Sequence, residues 1–298
     1  MMSSLVRELA ERGVALSALY ASTAGLYRRV GYEASGTRFL ATMIAREIPF
    51  EERELTTRRP MESDDEVIRA LYGRFARHQS GFLDRGSYMW PRITAERFGT
   101  PAYGLVVEAD GVPEGYVYYR KARGKTDRHE LLVTDMVATT PRAVRRIWTV
   151  LRDMGTMVDS ITIPTSTTDP FQLALPDPRH AIRLYDRWMV RITNLRAAIE
   201  SRGWPPGLTA TLQLDITDEI VEDNAGKWIV HVENGRGSLE PGGKGTVRIT
   251  ARGLASLYSG YASPATLALA GQLDADPDKF QAIAAPFAGP EPWMRDHF

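Results

Sequence analysis

The chain has no cysteine in 298 residues. Disulfides, thiolate metal sites and a cysteinyl acyl-enzyme are therefore excluded, and any acyl transfer has to be direct or pass through another nucleophile. Such a composition suits a reducing cytoplasm, the expected compartment. Net charge is also missing: 37 Lys and Arg offset 37 Asp and Glu, so there is no overall positive field of the kind that draws nucleic acid or anionic membranes, and neither is expected as a partner. Lysine is scarce, and arginine, whose planar fork grips carboxylate or phosphate, carries most of the positive charge. No apolar run approaches the roughly 20 residues of a membrane span. The start, Met1-Met2-Ser3-Ser4, lacks the basic-then-apolar pattern of an export signal. His78, His129, His180, His231 and His297 show no paired helical spacing, which leaves a metal site unsupported, and there is no Gly-x-Ser-x-Gly elbow. Gly237-Ser-Leu-Glu-Pro-Gly242-Gly-Lys244-Gly-Thr246 looks like a phosphate loop, but one extra glycine precedes the lysine, another follows it, and a strand comes next. A hairpin turn is the expectation there.

What is present is an ordinary globular composition, 43% hydrophobic and 25% charged, in a 33.2 kDa chain long enough for two or three domains. Residues 5–12 read as an amphipathic helix with Leu5 and Leu9 on one face and Gly13 as its stop. A strand over 14–20 leads through Ser22 or Thr23, as N-cap, into a short helix carrying Leu26, Tyr27 and Val30 and closed by Gly31; a strand over 38–45 follows. A polar passage from Pro49 to Asp65 reads as a linker. The spacing then predicts a helix through Ile68, Leu71 and Phe75, a hairpin turned at Asp110-Gly111, a strand over 129–138 and a helix over 141–154. A strand over 160–164 and a helix over 180–186 complete that alternation. From Asn194 the pattern becomes α+β: a helix to Gly203, strands over 209–216, 227–233 and 245–250, then helices over 251–259, 263–273 and 277–285. The fold class is mixed α/β with an α+β end, in three parts: 1–48, 49–192 and 193–298.

Taken alone, Tyr27 is a tyrosine of the kind that packs into a core. Its setting, Leu16-Ser-Ala-Leu-Tyr-Ala-Ser22 followed by Gly25-Leu-Tyr-Arg-Arg-Val-Gly-Tyr32, resembles the end of a GNAT acetyltransferase domain, and specifically the Eis family (enhanced intracellular survival proteins). Arg191-Ile-Thr-Asn-Leu-Arg-Ala-Ala-Ile-Glu-Ser-Arg-Gly203 is similar to that family's entry into its third domain, and Leu254-Ala-Ser-Leu-Tyr-Ser-Gly-Tyr261 agrees as well. The resemblance covers nearly the whole chain. It implies a catalytic GNAT domain, of which 1–48 is the last part, a second GNAT-like domain without cofactor, and a sterol-carrier-protein-like domain. It further implies N-acetyl transfer from acetyl-CoA to an amine, an aminoglycoside or a lysine-like group, in a homo-oligomer, by family a hexamer. Tyr27 matches the general acid that protonates the departing thiolate. The terminal Phe298 matches the aromatic residue whose free α-carboxylate, ordinarily with a pKa of about 3.5, serves as general base. Ser22 is a candidate for the cofactor side, and Asp186, just before Trp188, for holding a cationic amine.

The sequence departs from the family at one place that matters. GNAT chemistry needs an Arg/Gln-x-x-Gly-x-Gly/Ala loop whose backbone N–H groups hold the pyrophosphate at a helix N-terminus. No such loop precedes residue 5. The nearest match, Arg28-Arg-Val-Gly31-Tyr-Glu33, has Glu where a small residue is required and runs from helix into strand. The expectation is a chain that begins inside the helix after the loop, without the main coenzyme A site. An alternative of another class is a non-catalytic lipid-binding or scaffold protein acting through the sterol-carrier-like part, which calls for a continuous apolar tunnel there.

Overall fold

The computed structural model describes residues 1–124, 127–177 and 179–298. Helix α1 (Met2–Glu11) is stopped by Gly13 in the left-handed region, φ +70°. Its buried stripe is Met2, Val6 and Ala10, not the expected Leu5 and Leu9. Val30 and Tyr32 pack on the neighbouring face and leave Leu5 44% exposed. Then come β1 (Leu16–Tyr20), α2 (Ala24–Arg28) and β2 (Glu33–Ile44). The passage read as a linker contains a short strand, β3 (Thr56–Arg58), because its backbone finds a partner in β4. Helices α3 (Asp65–Ala76) and α4 (Met89–Thr94) precede the hairpin β4 (Tyr103–Ala109) and β5 (Val112–Arg123). Asp110 and Gly111, at φ +48° and +78°, make its turn. Next are β6 (His129–Ala138), α5 (Pro141–Asp153), β7 (Val158–Thr165) and α6 (Pro170–Leu173). The Thr140 hydroxyl caps α5 by accepting from the Ala143 N–H.

The helix expected over 180–186 is a strand, β8 (Ala181–Ile192). The apolar residues Ile182, Leu184, Trp188, Val190 and Ile192 fall on alternate positions, the period of a strand, and Trp188 to Ile192 are all buried. After β8 come α7 (Leu195–Ser201), capped by Asn194, then β9 (Ala210–Thr217), β10 (Gly226–Glu233), β11 (Arg236–Pro241) and β12 (Val247–Thr250). Gly242, Gly243 and Gly245, all at positive φ, lie in the turn between β11 and β12, so the phosphate-loop look-alike joins two strands. Helix α8 (Ala251–Tyr258), α9 (Pro264–Leu269), β13 (Leu273–Asp274) and α10 (Phe280–Ala284) complete the chain's elements.

Two compact units result, each drawn from separate stretches. One is Met1–Gly36 with Arg187–Pro292, the other Thr37–Asp186 with Trp293–Phe298. In the first, β1 pairs antiparallel with the end of β8, Leu16 opposite Ile192. A five-stranded sheet of order β11-β10-β9-β12-β13 packs on α7 and α8 over a core that includes Trp204, Tyr258 and Phe287. In the second, strands run β2-β7-β6-β5-β4-β3, with β6 and β7 parallel and the other pairs antiparallel. Alternate residues of β5 serve two cores: Val117 and Tyr119 face Ile147, Trp148 and Leu151 of α5, while Tyr116 and Tyr118 face α3 and α4. Pairing of β6 with β7 runs from His129 only to Leu132 opposite Thr162, after which the two parallel strands are free to part.

Candidate functional site

In the first unit the residues around Tyr27 are fixed by two buried ionic centres. Gly31, at φ +88°, is required twice over: the backbone is left-handed, and a β-carbon there would stand 2.9 Å from the Arg191 guanidinium. Arg191 is fully buried and holds Asp218 at 2.6 Å. The next residue, Tyr32, is buried, with its hydroxyl 2.7 Å from Ser17 on β1. Burial pushes that phenol above its ordinary pKa, against the pull of Ser17 and Arg191. Tyr27 lies half-buried with its ring edge-on to Tyr32, centroids 5.8 Å apart. Glu33 accepts from Arg28, the last residue of α2, at 2.8 Å, from Arg252 of α8 and from the Ala34 N–H. Burial would raise its pKa, but these donors outweigh burial and hold it below the usual range. Ser22 is exposed at the bend into α2. The N-cap position is Thr23, which makes no capping hydrogen bond.

In the second unit the last six residues are built into the fold. The Trp293 N–H donates to the Ser80 carbonyl and the Met294 N–H to that of Thr37. Arg295 and Asp296 join a dry network on which the segment turns. Arg85 donates to both oxygens of Asp296, at 2.9 and 3.0 Å, and at 2.6 Å to Asp135, which also accepts from the Tyr116 hydroxyl. Arg295 donates to the Met136 carbonyl and to Asp169, 3.3 Å away, so its guanidinium lies between the N-cap of α6 and the part of β6 beyond Leu132, its last residue paired with β7. Two guanidiniums thus serve three carboxylates. Burial would raise all three; the charges of Arg85 and Arg295 prevail at Asp135, which is held low, whereas burial prevails at Asp169 and Asp296.

A cleft of about 260 Å³ opens beside this network. Leu40, Ile93 and Leu132 give it an apolar lining, and Arg38, Arg92, Arg97, Tyr185 and His297 line it with polar groups. The Arg38 guanidinium donates to the Arg295 carbonyl and stands 5.0 Å over the Tyr185 ring; Arg92 donates to the His297 carbonyl at 3.1 Å. Burial first, then Arg38, Arg92 and Arg97, holds His297 below its ordinary pKa against the opposing field of Asp186. Asp186 is half-buried on β8, Phe298 half-buried at the end of the tail.

Tyr27 and Ser22 therefore belong to the first unit, and Asp186 and Phe298 to the second, where Asp186 and the tail share one electrostatic neighbourhood. Sequence reasoning passed over Arg85, Asp135, Asp169, Arg295 and the cleft arginines. One signal was available: Asp135 interrupts the apolar run of β6 on its inward side, where a lone acid requires a buried partner. No stretch of the sequence has the Arg/Gln-x-x-Gly-x-Gly/Ala pattern of a pyrophosphate loop. Among the described residues no three His, Cys, Asp or Glu gather around a possible metal position, and no helix is long and apolar enough to cross a membrane. In the region read as sterol-carrier-like, a cavity of about 260 Å³ borders Leu257, Pro264 and Phe287.

Residues 81–192 match the family model of an acetyltransferase (GNAT) domain, and residues 195–295 that of a sterol carrier protein domain. The N-acetyltransferase Eis of Mycobacterium tuberculosis (strain CDC 1551 / Oshkosh) is 29% identical over 307 residues, covering 98% of this chain and 74% of that protein. The crystal structure of a GCN5-related N-acetyltransferase from Anabaena variabilis superposes with a TM-score of 0.93 at 30% identity, covering 100% of this chain and 76% of the other. Another, from Kribbella flavida, gives 0.86 at 27%, covering 100% and 74%.

Proposed function

The chain belongs to the Eis-like family of GNAT N-acetyltransferases, and on that premise we propose that it moves acetyl to an amine by direct attack, with Tyr27 as general acid and the Phe298 α-carboxylate as general base. Acetyl-CoA supplies the activated acetyl group. The Phe298 carboxylate takes a proton from the amine as its nitrogen bonds to the carbonyl carbon. Tyr27 gives a proton to the sulfur as the carbon–sulfur bond breaks, so one proton is taken and one given. Ser22 is assigned to the donor side and Asp186 to the acceptor ammonium. The three parts 1–48, 49–192 and 193–298 keep the roles given above, in a homo-oligomer of the cytoplasm, by family a hexamer.

The observation that carries this reading is the anchored tail. Most chain ends fray, and burying an arginine–carboxylate network costs desolvation that only good pairing geometry offsets, so a tail held by one departs from the usual behaviour of termini. Here Arg295 and Asp296 are locked immediately ahead of His297 and the terminal carboxylate. The same observation supports a second GNAT-like part without cofactor, since Arg295 lies where β6 and β7 are free to part. The test is Tyr27→Phe in a form of the enzyme extended upstream by a pyrophosphate loop. Turnover is expected to fall about a hundredfold or more with acceptor KM unchanged, because the proton is needed as the thiolate leaves. Unchanged turnover removes Tyr27 from the mechanism.

A further inference from the structure

The cleft beside the terminus carries more positive charge than a site for a polycation would. Arg38, Arg92 and Arg97 all line it, Asp296, the one acid among its lining residues, is engaged by Arg85 on both oxygens, and the three guanidiniums still outnumber the two anions nearby, Asp186 and the Phe298 α-carboxylate. Burial and the same arginines hold the His297 pKa below its ordinary value, which disfavours a further positive charge there. Two of the arginines are aimed by the fold. Arg92 sits on α4 with one nitrogen on the His297 carbonyl and its Nε buried without a partner. Arg97 begins a tight turn in which it exchanges both backbone hydrogen bonds with Thr100, at 3.0 and 3.1 Å. The central residue Phe98 takes φ +51°, a conformation a bulky side chain rarely adopts. Its ring lies 4.8 Å from the Arg97 guanidinium. The aliphatic lining lowers the local dielectric, so the cationic field inside is stronger than the same charges would make in water.

We propose that this cleft seats a carboxylate carried by the acceptor, so that the acetylated amine belongs to an amino-acid-like molecule and not to a polyamine or an aminoglycoside. This rests on the acetyl-transfer reading, which places the acceptor beside the chain terminus. A carboxylate presents two oxygens that the planar guanidinium meets with parallel hydrogen bonds. An ammonium in the same place meets like charge at every arginine. About 260 Å³ admits the end of a small molecule only, which agrees with an amino acid. The other end of such an acceptor, its amine, is then left for the terminal carboxylate.

Nα-acetyl-lysine and its carboxamide share one primary amine and differ in the carboxylate alone. Titrated into the 298-residue chain and followed by NMR, the carboxylate form is expected to bind at least about tenfold tighter, the worth of one charge-assisted hydrogen bond. It should also raise the His297 pKa, as an anion placed among the same arginines must. Arg97→Gln and Arg92→Gln should each remove most of that preference while leaving carboxamide binding unchanged. Arg97 is the surer test of the two, because its side chain bonds to no part of the tail in the way that Arg92 bonds to His297. Equal affinity for the two ligands, a preference that survives both substitutions, or binding of neither ligand up to about 10 mM overturns the proposal. Binding is read without turnover. A lost preference therefore leaves the acid and base assignments standing, and their failure leaves the preference intact.

Discussion

At Glu33 one carboxylate, buried on β2, collects Arg28, Arg252 and a backbone N–H, and so ties α2, which carries Tyr27, to α8. Both arginines keep access to water, so neutralising the acid costs less than opening a fully dry pair: about 2 kcal/mol for Glu33→Gln. The sign with pH follows from the lowered folded pKa. The stabilisation is complete above the unfolded value of 4.5 and is lost as pH falls through the lower folded one. Chemical denaturation should therefore separate the variant from the parent at pH 7, with a gap that narrows as the pH falls below 4.5. A constant gap would mean that the ionised form makes no difference to the fold. Gly31 belongs to the same scale. It reads as a helix stop in the sequence, yet what demands it is the Arg191 guanidinium arriving from β8, a contact that local pattern has no means of announcing.

Among the elements, the buried network divides its carboxylates unequally. Asp135 meets Arg85, Tyr116 and Arg295 and is held ionised, so Asp135→Asn should cost about 3–5 kcal/mol, the usual result of stranding a buried charge. Asp169, like Asp296, is an acid whose pKa burial raises despite Arg295, and one of its other duties, capping α6 at the Phe171 N–H, is one that asparagine performs equally well. Asp169→Asn should then cost at least about 2 kcal/mol less than Asp135→Asn in the same denaturation series. Equal losses would contradict the unequal division. Legibility differs among elements for physical reasons. The β4–β5 hairpin and α5 could be read because Asp110-Gly111 and Thr140-Pro141 are local instructions. Strand β8 was misread because its pairing with β1 is remote in sequence, and Leu5 was placed inward because only tertiary packing selects Val6. The cleft could not be read at all: Arg38, Arg92 with Arg97, Tyr185 and His297 come from four distant stretches that meet only in the folded unit.

For the molecule as a whole, the order of motifs along the chain gave the family, while the compact units cut across that order, with residues 1–36 joined to 187–292 and the last six residues to 37–186. The tail is the clearest case of what composition conceals. Trp293-Met-Arg-Asp-His-Phe298 has the look of a loose end, and its first four residues are buried. In the proposed reaction that end is the chemically active one, through its free carboxylate. The most direct measurement is acetyl transfer by the enzyme form extended upstream with a pyrophosphate loop, with and without one alanine added after Phe298. The addition leaves every buried contact of Trp293 to Asp296 in place and moves the carboxylate by one residue, so a drop in turnover of about a hundredfold or more, at unchanged melting temperature, is the predicted result. Full turnover by the alanine-extended chain would contradict it, and would leave the Phe298 carboxylate without a part in the reaction.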